Sequence, residues 1–359
     1  MTRILSGDLL IADVLVPMTG SPAIEALIEK YQMQPGAKMA LNDEQLKEFK
    51  AALDGVEHTV MPGGSSANML TTLCKILGKE IEVRFLGMAG DAKYCSIIRD
   101  SLIEAGITLV PERFPGGHVL MQSAVSFVFV YPDGQCTTAT NPGNAREILK
   151  PAMIAEHLVK NSEIVFVQGS LWHKFQTDFA DRLVKLCSKH QRQLWLTLPT
   201  QAKPSGEEID HFLKVLPDAH LVFGNHAELE RLYGASLDEG LNKLQKAFRD
   251  RERVQEDKKS VGFITFGKDG AAVVTTQNIE FVQPIKIKGK EIVNTIGAGD
   301  TAYAAFAAGH LKQLPEMTSA QLAMALAGEK LRTNAPRLSD PKATLSAAAP
   351  DLARMLKTD

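Results

Sequence analysis

Asp300 follows directly on Gly297-Ala298-Gly299 and opens an alanine-rich run, TAYAAFAAG, whose composition predicts a helix packed closely on its neighbours. Successive N–H groups in a glycine-rich turn at a helix N-terminus make an anion hole, and the helix dipole reinforces it. Gly297 and Gly299 have no Cβ to keep an anion away from the main chain. A carboxylate beside such a hole repels a bound phosphate. The pairing makes chemical sense when a neutral hydroxyl lies between them and loses its proton to Asp300 while attacking a phosphorus held in the hole. The helix dipole is expected to hold the Asp300 pKa down and keep the group ionised at pH 7. The plainer alternative is a helix cap.

Three further stretches could carry chemistry. Met61-Pro62-Gly63-Gly64-Ser65-Ser66-Ala67-Asn68 precedes an apolar helix. Its glycines would let a ligand lie against the main chain, and Asn68 offers a donor and an acceptor to hydroxyls, or the stretch is only a turn and a helix entry. Asn225-His226-Ala227-Glu228 ends the strand HLVFG and has the spacing of a capping box. The same amide and carboxylate could orient metal-bound waters beside phosphates. Thr265-Phe266-Gly267-Lys268-Asp269-Gly270 is a tight turn between strands, or a loop across which a nucleotide lies. The order GG…N, NxxE, TxGxxG, GAGD, each at a strand end or turn, is harder to obtain by chance than any one of them.

Most of the chain must serve to position these residues. Apolar runs EVRFLGMAG, SAVSFVFVYP, EIVFVQGS, QLWLTLP, HLVFGN, VGFITFG and AAVVTT predict strands, and RILSGDLLIADVLV near the start reads as another. SANMLTTLCKILG, YCSIIRDSLIEAG, FADRLVKLCSKH, HAELERLYG and TAYAAFAAGHLKQ predict helices between them. Near-continuous apolar strands alternating with helices imply a largely parallel sheet covered on both faces. Two stretches break the rhythm. Residues 21–54 read as two helices joined at QPGAK, and Gly116 to Thr140 as a hairpin turning at Pro132-Asp133-Gly134, suited to cover the end of a sheet as a lid. Arg249 to Lys259, RDRERVQEDKK, reads as a solvated helix end or loop.

The chain has 359 residues and a net charge of −2, which excludes a general attraction to nucleic acid or acidic membranes. Cys74, Cys95, Cys136 and Cys187 form no CxxC pair and read as reduced thiols. The N-terminal run lacks the features of a signal peptide, and no apolar run reaches the ~20 residues of a membrane span, so a cytoplasmic location is expected. No GxGxxG follows the first strand, which argues against a nicotinamide dehydrogenase.

Across nearly its whole length the sequence resembles the ribokinase-like sugar and nucleoside kinases of the PfkB family. GGSSANM is similar to the family's N-terminal signature and NTIGAGDTAYAAF to its C-terminal one. Within the family the sequence looks most like adenosine kinases, through KYQMQPGAKMALNDEQLKEF, LPDAHLVFGNHAELERL and TATNPGNA. The resemblance implies a single domain over 1–359: a Rossmann-like three-layer α/β/α fold with a small β-sheet lid from about 8–20 and 114–141 and a helical insertion at about 21–54. It implies that Asp300 is the general base, with Gly297, Ala298 and Gly299 as the anion hole, and that Asp13, Gly63, Gly64 and Asn68 bind the acceptor. Asn225, Thr265, Gly267 and Gly270 would bind nucleotide, and Glu228 would serve the metal through water. ATP as co-substrate and Mg2+ follow from it, and it admits a monovalent cation such as K+. The implied acceptor is the 5′-hydroxyl of adenosine or a related nucleoside, with a sugar or sugar acid (ribose, fructose, a keto-deoxy acid) as the alternative. The protein would act as a monomer or homodimer, with no nucleic-acid or membrane partner. There are departures. Asp13 lies six residues after Gly7 where the family has five, which leaves Asp8 as a second candidate. Ala92 and Cys95 replace the family's aspartate and glycine, PGGHV lacks a threonine usual in adenosine kinases, and AGEKLRTNAP is only loosely similar to the adenine-pocket segment.

Overall fold

The computed structural model describes residues 1–18, 20–87, 93–110, 124–143, 149–172, 176–200, 205–252 and 259–356. The PGGHV stretch and Ala92 lie outside them, as does the side chain of Cys95. The described strands are, in chain order, β1 (Thr2–Gly7), β2 (Ile11–Pro17), β3 (Lys38–Ala40), β4 (Thr59–Pro62), β5 (Ile81–Leu86), β6 (Ile107–Val110) and β7 (Ala124–Val130). They continue with β8 (Cys136–Asn141), β9 (Ile164–Val167), β10 (Gln193–Thr197), β11 (Leu221–Asn225), β12 (Val261–Thr265), β13 (Ala271–Thr275) and β14 (Ile279–Val282).

Nine strands form one sheet in the order β14-β13-β12-β11-β10-β9-β1-β5-β6. Every pairing from β12 to β6 is parallel, and only the β12–β13–β14 end is antiparallel. The central parallel strands β9 and β11 are apolar at nearly every position because helices cover both faces. On one face pack the helices Ser65–Leu77, Ala298–Leu311 and Glu316–Lys330, and on the other Thr177–Lys189, His226–Tyr233 and Leu237–Glu252. The alanines expected to allow close packing do so: Ala302, Ala304, Ala305, Ala307 and Ala308 are all buried.

A second sheet has the order β3-β8-β7-β2-β4. It contains the expected hairpin, β7 against β8, closed at Tyr131–Gln135. The helices Pro22–Lys30 and Asp43–Ala52 bury Ile24, Leu27, Leu46 and Phe49 against Val125, Phe127 and Phe129 of β7. Phe49 meets Tyr31, Phe127 and Phe129 at ring distances of 5.6, 5.6 and 6.0 Å.

Two expectations need correction. The run RILSGDLLIADVLV is two strands in two sheets, β1 and β2, and Asp8 falls at the crossing. Apolar content is equally high on both sides of the break, so composition could not mark it. Arg251 is not solvated. It is buried at the end of the Leu237–Glu252 helix, where its guanidinium donates to the Ala219 carbonyl and, at 2.9 Å, to Ser260 Oγ. Residues 253–258 of that charged run lie outside the described residues.

Candidate active site

The Ala298–Leu311 helix is capped by Gly297 in the left-handed region, at φ +70°. A Cβ there would lie 1.9 Å from the Pro336 carbonyl oxygen, so only glycine fits. Asp300 is the third residue of the helix, and the cap position carries no side-chain capping bond. Its carboxylate is used elsewhere: Oδ2 accepts Asn68 Nδ2 at 2.9 Å, and Oδ1 accepts the Ser65 hydroxyl. Asp300 is therefore not a cap. The N–H groups of Gly299 and Asp300 sit in the first turn, where helix geometry supplies no acceptor.

The Ser65–Leu77 helix packs beside this one and begins at Gly64, φ +86°. Gly63 is bound by β2, through its N–H to the Ile11 carbonyl at 2.9 Å. A Cβ on Gly63 would lie 2.2 Å from Asp13 Cγ, so the carboxylate of β2 rests directly on this glycine. Arg337 completes the cluster. Its Nε donates to Asn68 Oδ1 at 2.7 Å, Nη1 to Ser101 Oγ at 2.5 Å and Nη2 to the Gly63 carbonyl at 3.2 Å. The order Arg337–Asn68–Asp300 is thus a continuous hydrogen-bonded chain from a buried cation to the candidate base.

Asp8, Asp13 and Arg337 are nearly out of water, and Asp300 is half-buried. Burial raises Asp13 to about 7 against the pull of Arg337, and raises Asp8 to about 6 against its bonds to Ser66 Oγ and Leu9 N–H, each 2.7 Å. Burial also raises Asp300, countered by Ser65 and Asn68. The sequence-based expectation that the dipole holds Asp300 down is corrected in direction. A dipole at the first helical turn is worth about 0.3–1 kcal/mol at exposed sites, whereas desolvation can move a carboxyl by several pK units. The two N-terminal aspartates differ in company. Both Asp8 oxygens are hydrogen-bonded within the protein, while Asp13 faces Gly63 and Arg337.

The other candidates lie at the C-terminal ends of neighbouring parallel strands, the usual ligand edge of such a sheet. Asn225 of β11 is paired in register with Thr265 of β12. Asn225 and Glu228 form the capping box itself: Glu228 N–H to Asn225 Oδ1 at 3.0 Å, and Asn225 N–H to Glu228 Oε2 at 3.1 Å. Glu228 is buried, which raises its pKa. Gly267 and Gly270 lie in the β12–β13 turn, where a Cβ on Gly270 would meet the Val282 carbonyl at 2.2 Å. Tyr303, one turn after Asp300, is buried within reach of both the Thr265 side chain and the Glu228 charge, so the two clusters adjoin. The hairpin tip of the second sheet reaches them as well, since Thr295 N–H donates to the Gly134 carbonyl at 3.1 Å. Ser65, Arg337 and Lys330 belong to the site or its support and were not singled out from sequence. Among the described residues no group of three or more His, Cys, Asp or Glu is placed to hold a metal ion, and no helix is long and apolar enough to cross a membrane.

A doubly wound sheet with an open helix N-terminus, a carboxylate and a polar cluster at one edge suits an ATP-dependent phosphotransferase with an alcohol as acceptor, which is the class of this protein. The pfkB family carbohydrate kinase description matches residues 37–343, and the chain belongs to that family. It is 23% identical to the ribokinase of Lactococcus lactis over 299 residues, 81% of this chain and 88% of the relative. Among solved structures it superposes on a probable sugar kinase from Rhizobium etli with a TM-score of 0.79, 19% identity and coverage of 97% and 98% of the two chains. The adenosine kinase of Sinorhizobium meliloti gives 0.79, 20% identity and coverage of 97% and 99%. The ribokinase-like α/β fold expected from the motifs is the fold observed.

Proposed function

We propose that the protein transfers the γ-phosphoryl group of ATP to the 5′-hydroxyl of adenosine or a related nucleoside. The observation that carries the reaction is the placement of Asp300: third in its helix, beside the open N–H groups of the first turn, and held by Ser65 and Asn68 instead of capping. In this assignment the acceptor's hydroxyls lie against Gly63, Gly64, Asn68 and Asp13, and its primary hydroxyl faces Asp300. The nucleotide lies along the β11 and β12 ends, over Asn225, Thr265, Gly267 and Gly270. Asp300 aligns the hydroxyl and accepts its proton late, because the transition state is loose and catalysis is chiefly positioning and charge neutralisation. Ala298, Gly299 and the first helical turn receive the phosphoryl oxygens.

Magnesium would enter with ATP and would supply neutralising charge to its phosphates. Glu228 fits an outer role through water. One of its oxygens already serves the Asn225 N–H, and no acidic cluster surrounds it among the described residues. The second sheet acts as a lid over the acceptor. The two helices of residues 22–52 cover one of its faces, which favours a monomer over a homodimer paired through that face.

The nucleoside acceptor is supported by the helical pair over the second sheet and by structural neighbours named adenosine kinases. A sugar or sugar-acid acceptor is favoured by a different observation, the buried Arg337 guanidinium beside Asp13. Turnover of ATP against adenosine, other nucleosides, ribose, fructose and keto-deoxy acids separates the two. Phosphorylation of adenosine is expected, and a response confined to sugars or acids would reject the nucleoside assignment.

A further inference from the structure

Lys330 is fully buried, and nothing in the proposed reaction employs it. It ends the Glu316–Lys330 helix, where the chain turns into the 331–337 segment that carries Pro336 and Arg337. Its ammonium donates to Asn294 Oδ1 at 3.2 Å and to the Thr333 carbonyl at 3.4 Å, both neutral oxygens. Asn294 is also buried. It accepts the Ile296 N–H at 3.1 Å and donates to the Asn334 carbonyl at 2.8 Å. Val293 N–H reaches the Leu331 carbonyl at 2.8 Å, and Gly297 abuts the Pro336 carbonyl. The ammonium therefore lies at the seam between two segments, one of which forms the anion hole.

A buried cation with only neutral hydrogen-bond partners is costly to keep. Burial lowers the Lys330 pKa to about 8, while Cys136 of β8 and Asp300 act in the opposite direction. The group remains largely charged at pH 7, behind a turn whose task is to receive negative charge. Two carbonyl-type oxygens converging on one point are also the kind of donors that replace water around a bare K+ ion. Here a side chain of the protein fills that place.

We propose that Lys330 is a built-in cation of the phosphoryl-transfer site, which ties the 294–299 turn to the 331–337 segment and supplies the positive charge behind the hole in place of a free monovalent ion. The proposal rests on the phosphotransferase assignment above. Lys330 touches no substrate and is a positioning residue.

The test compares wild type with Lys330→Met and Lys330→Ala in chloride salts of K+, Na+, ammonium and tetramethylammonium. Wild-type turnover is expected to be equal in all four. Lys330→Met should melt at or above the wild-type temperature, because a buried charge is gone, yet lose turnover by about tenfold or more with acceptor KM little changed. Lys330→Ala leaves room for an ion and should regain rate in ammonium or K+, not in tetramethylammonium. If the methionine variant does not fold, this rescue decides. Calorimetry gives a readout without turnover: loss of Lys330 should weaken ATP more than ADP, by roughly tenfold, because the γ-phosphate occupies the hole. Strong activation of wild type by K+, or wild-type turnover and ATP affinity in Lys330→Met, would overturn the proposal. If no acceptor is phosphorylated, the reaction assignment falls, and the ATP-to-ADP affinity ratio still decides Lys330. Loss of nucleotide binding by the wild type itself would overturn both.

Discussion

At the residue scale, Asp300 is held by two donors, and a third residue, Arg337, holds one of those donors. Asp300→Asn keeps the shape and the Asn68 contact region while removing the base. Turnover should fall by about 100-fold or more with ATP affinity nearly unchanged, as single-turnover kinetics and calorimetry would reveal. Wild-type turnover in that variant would remove Asp300 from the mechanism. Raised carboxyls set the pH response. Asp13 near 7 and a raised Asp300 place the acid limb of acceptor kcat/KM close to neutrality, so the rate should drop as pH falls through about 7. The stability effect has the opposite sense. Because the folded pKa of Asp13 lies above its unfolded value, its contribution is full below about pH 4 and is lost as pH rises through about 7. Asp13→Asn should accordingly raise the melting temperature more at pH 8 than at pH 5. Asp300, Asn68 and Gly63 were legible because each lies in a short motif whose residue types imply chemistry. Arg337 and Lys330 were not, because their meaning comes from partners 269 and 36 residues away in sequence.

At the element scale, the helical pair over the second sheet was legible as two helices joined at QPGAK, and the structure adds their starts, Pro22 in one and an Asn42–Gln45 capping box in the other. The three-residue strand β3 between them was not, since three residues are too few to show a period. Phe49 fastens this pair to β7, and its ring touches three others. Phe49→Ala should cost about 3–5 kcal/mol in denaturant unfolding. If the second sheet covers the acceptor, the same variant should raise acceptor KM and leave ATP KM near wild type. Equal changes in both would mean that the sheet does not serve the acceptor alone. The NxxE stretch shows the limit of motif reading: the plainer alternative, a capping box, is present, and it ties up one oxygen of Glu228.

At the scale of the molecule, the strand–helix rhythm announced a parallel sheet covered on both faces, because burial on both faces demands continuous apolar strands. It could not announce that β1 and β2 part into different sheets, nor that β12 to β14 turn antiparallel. Those outcomes depend on pairing partners far along the chain. The docking of the β7–β8 tip, where Gly134 receives the Thr295 N–H, belongs to the same class. Hairpin tips are ordinarily the safest places to splice in an epitope or a reporter peptide. This one is not, because a Cβ on Gly134 would already lie 2.9 Å from Ile292. A short peptide grafted at Asp133–Gly134 should leave the protein folded by circular dichroism and nearly silent as a kinase. Grafts at the exposed Gly206–Glu207 position, at the start of the Gly206–Val215 helix, should leave activity intact.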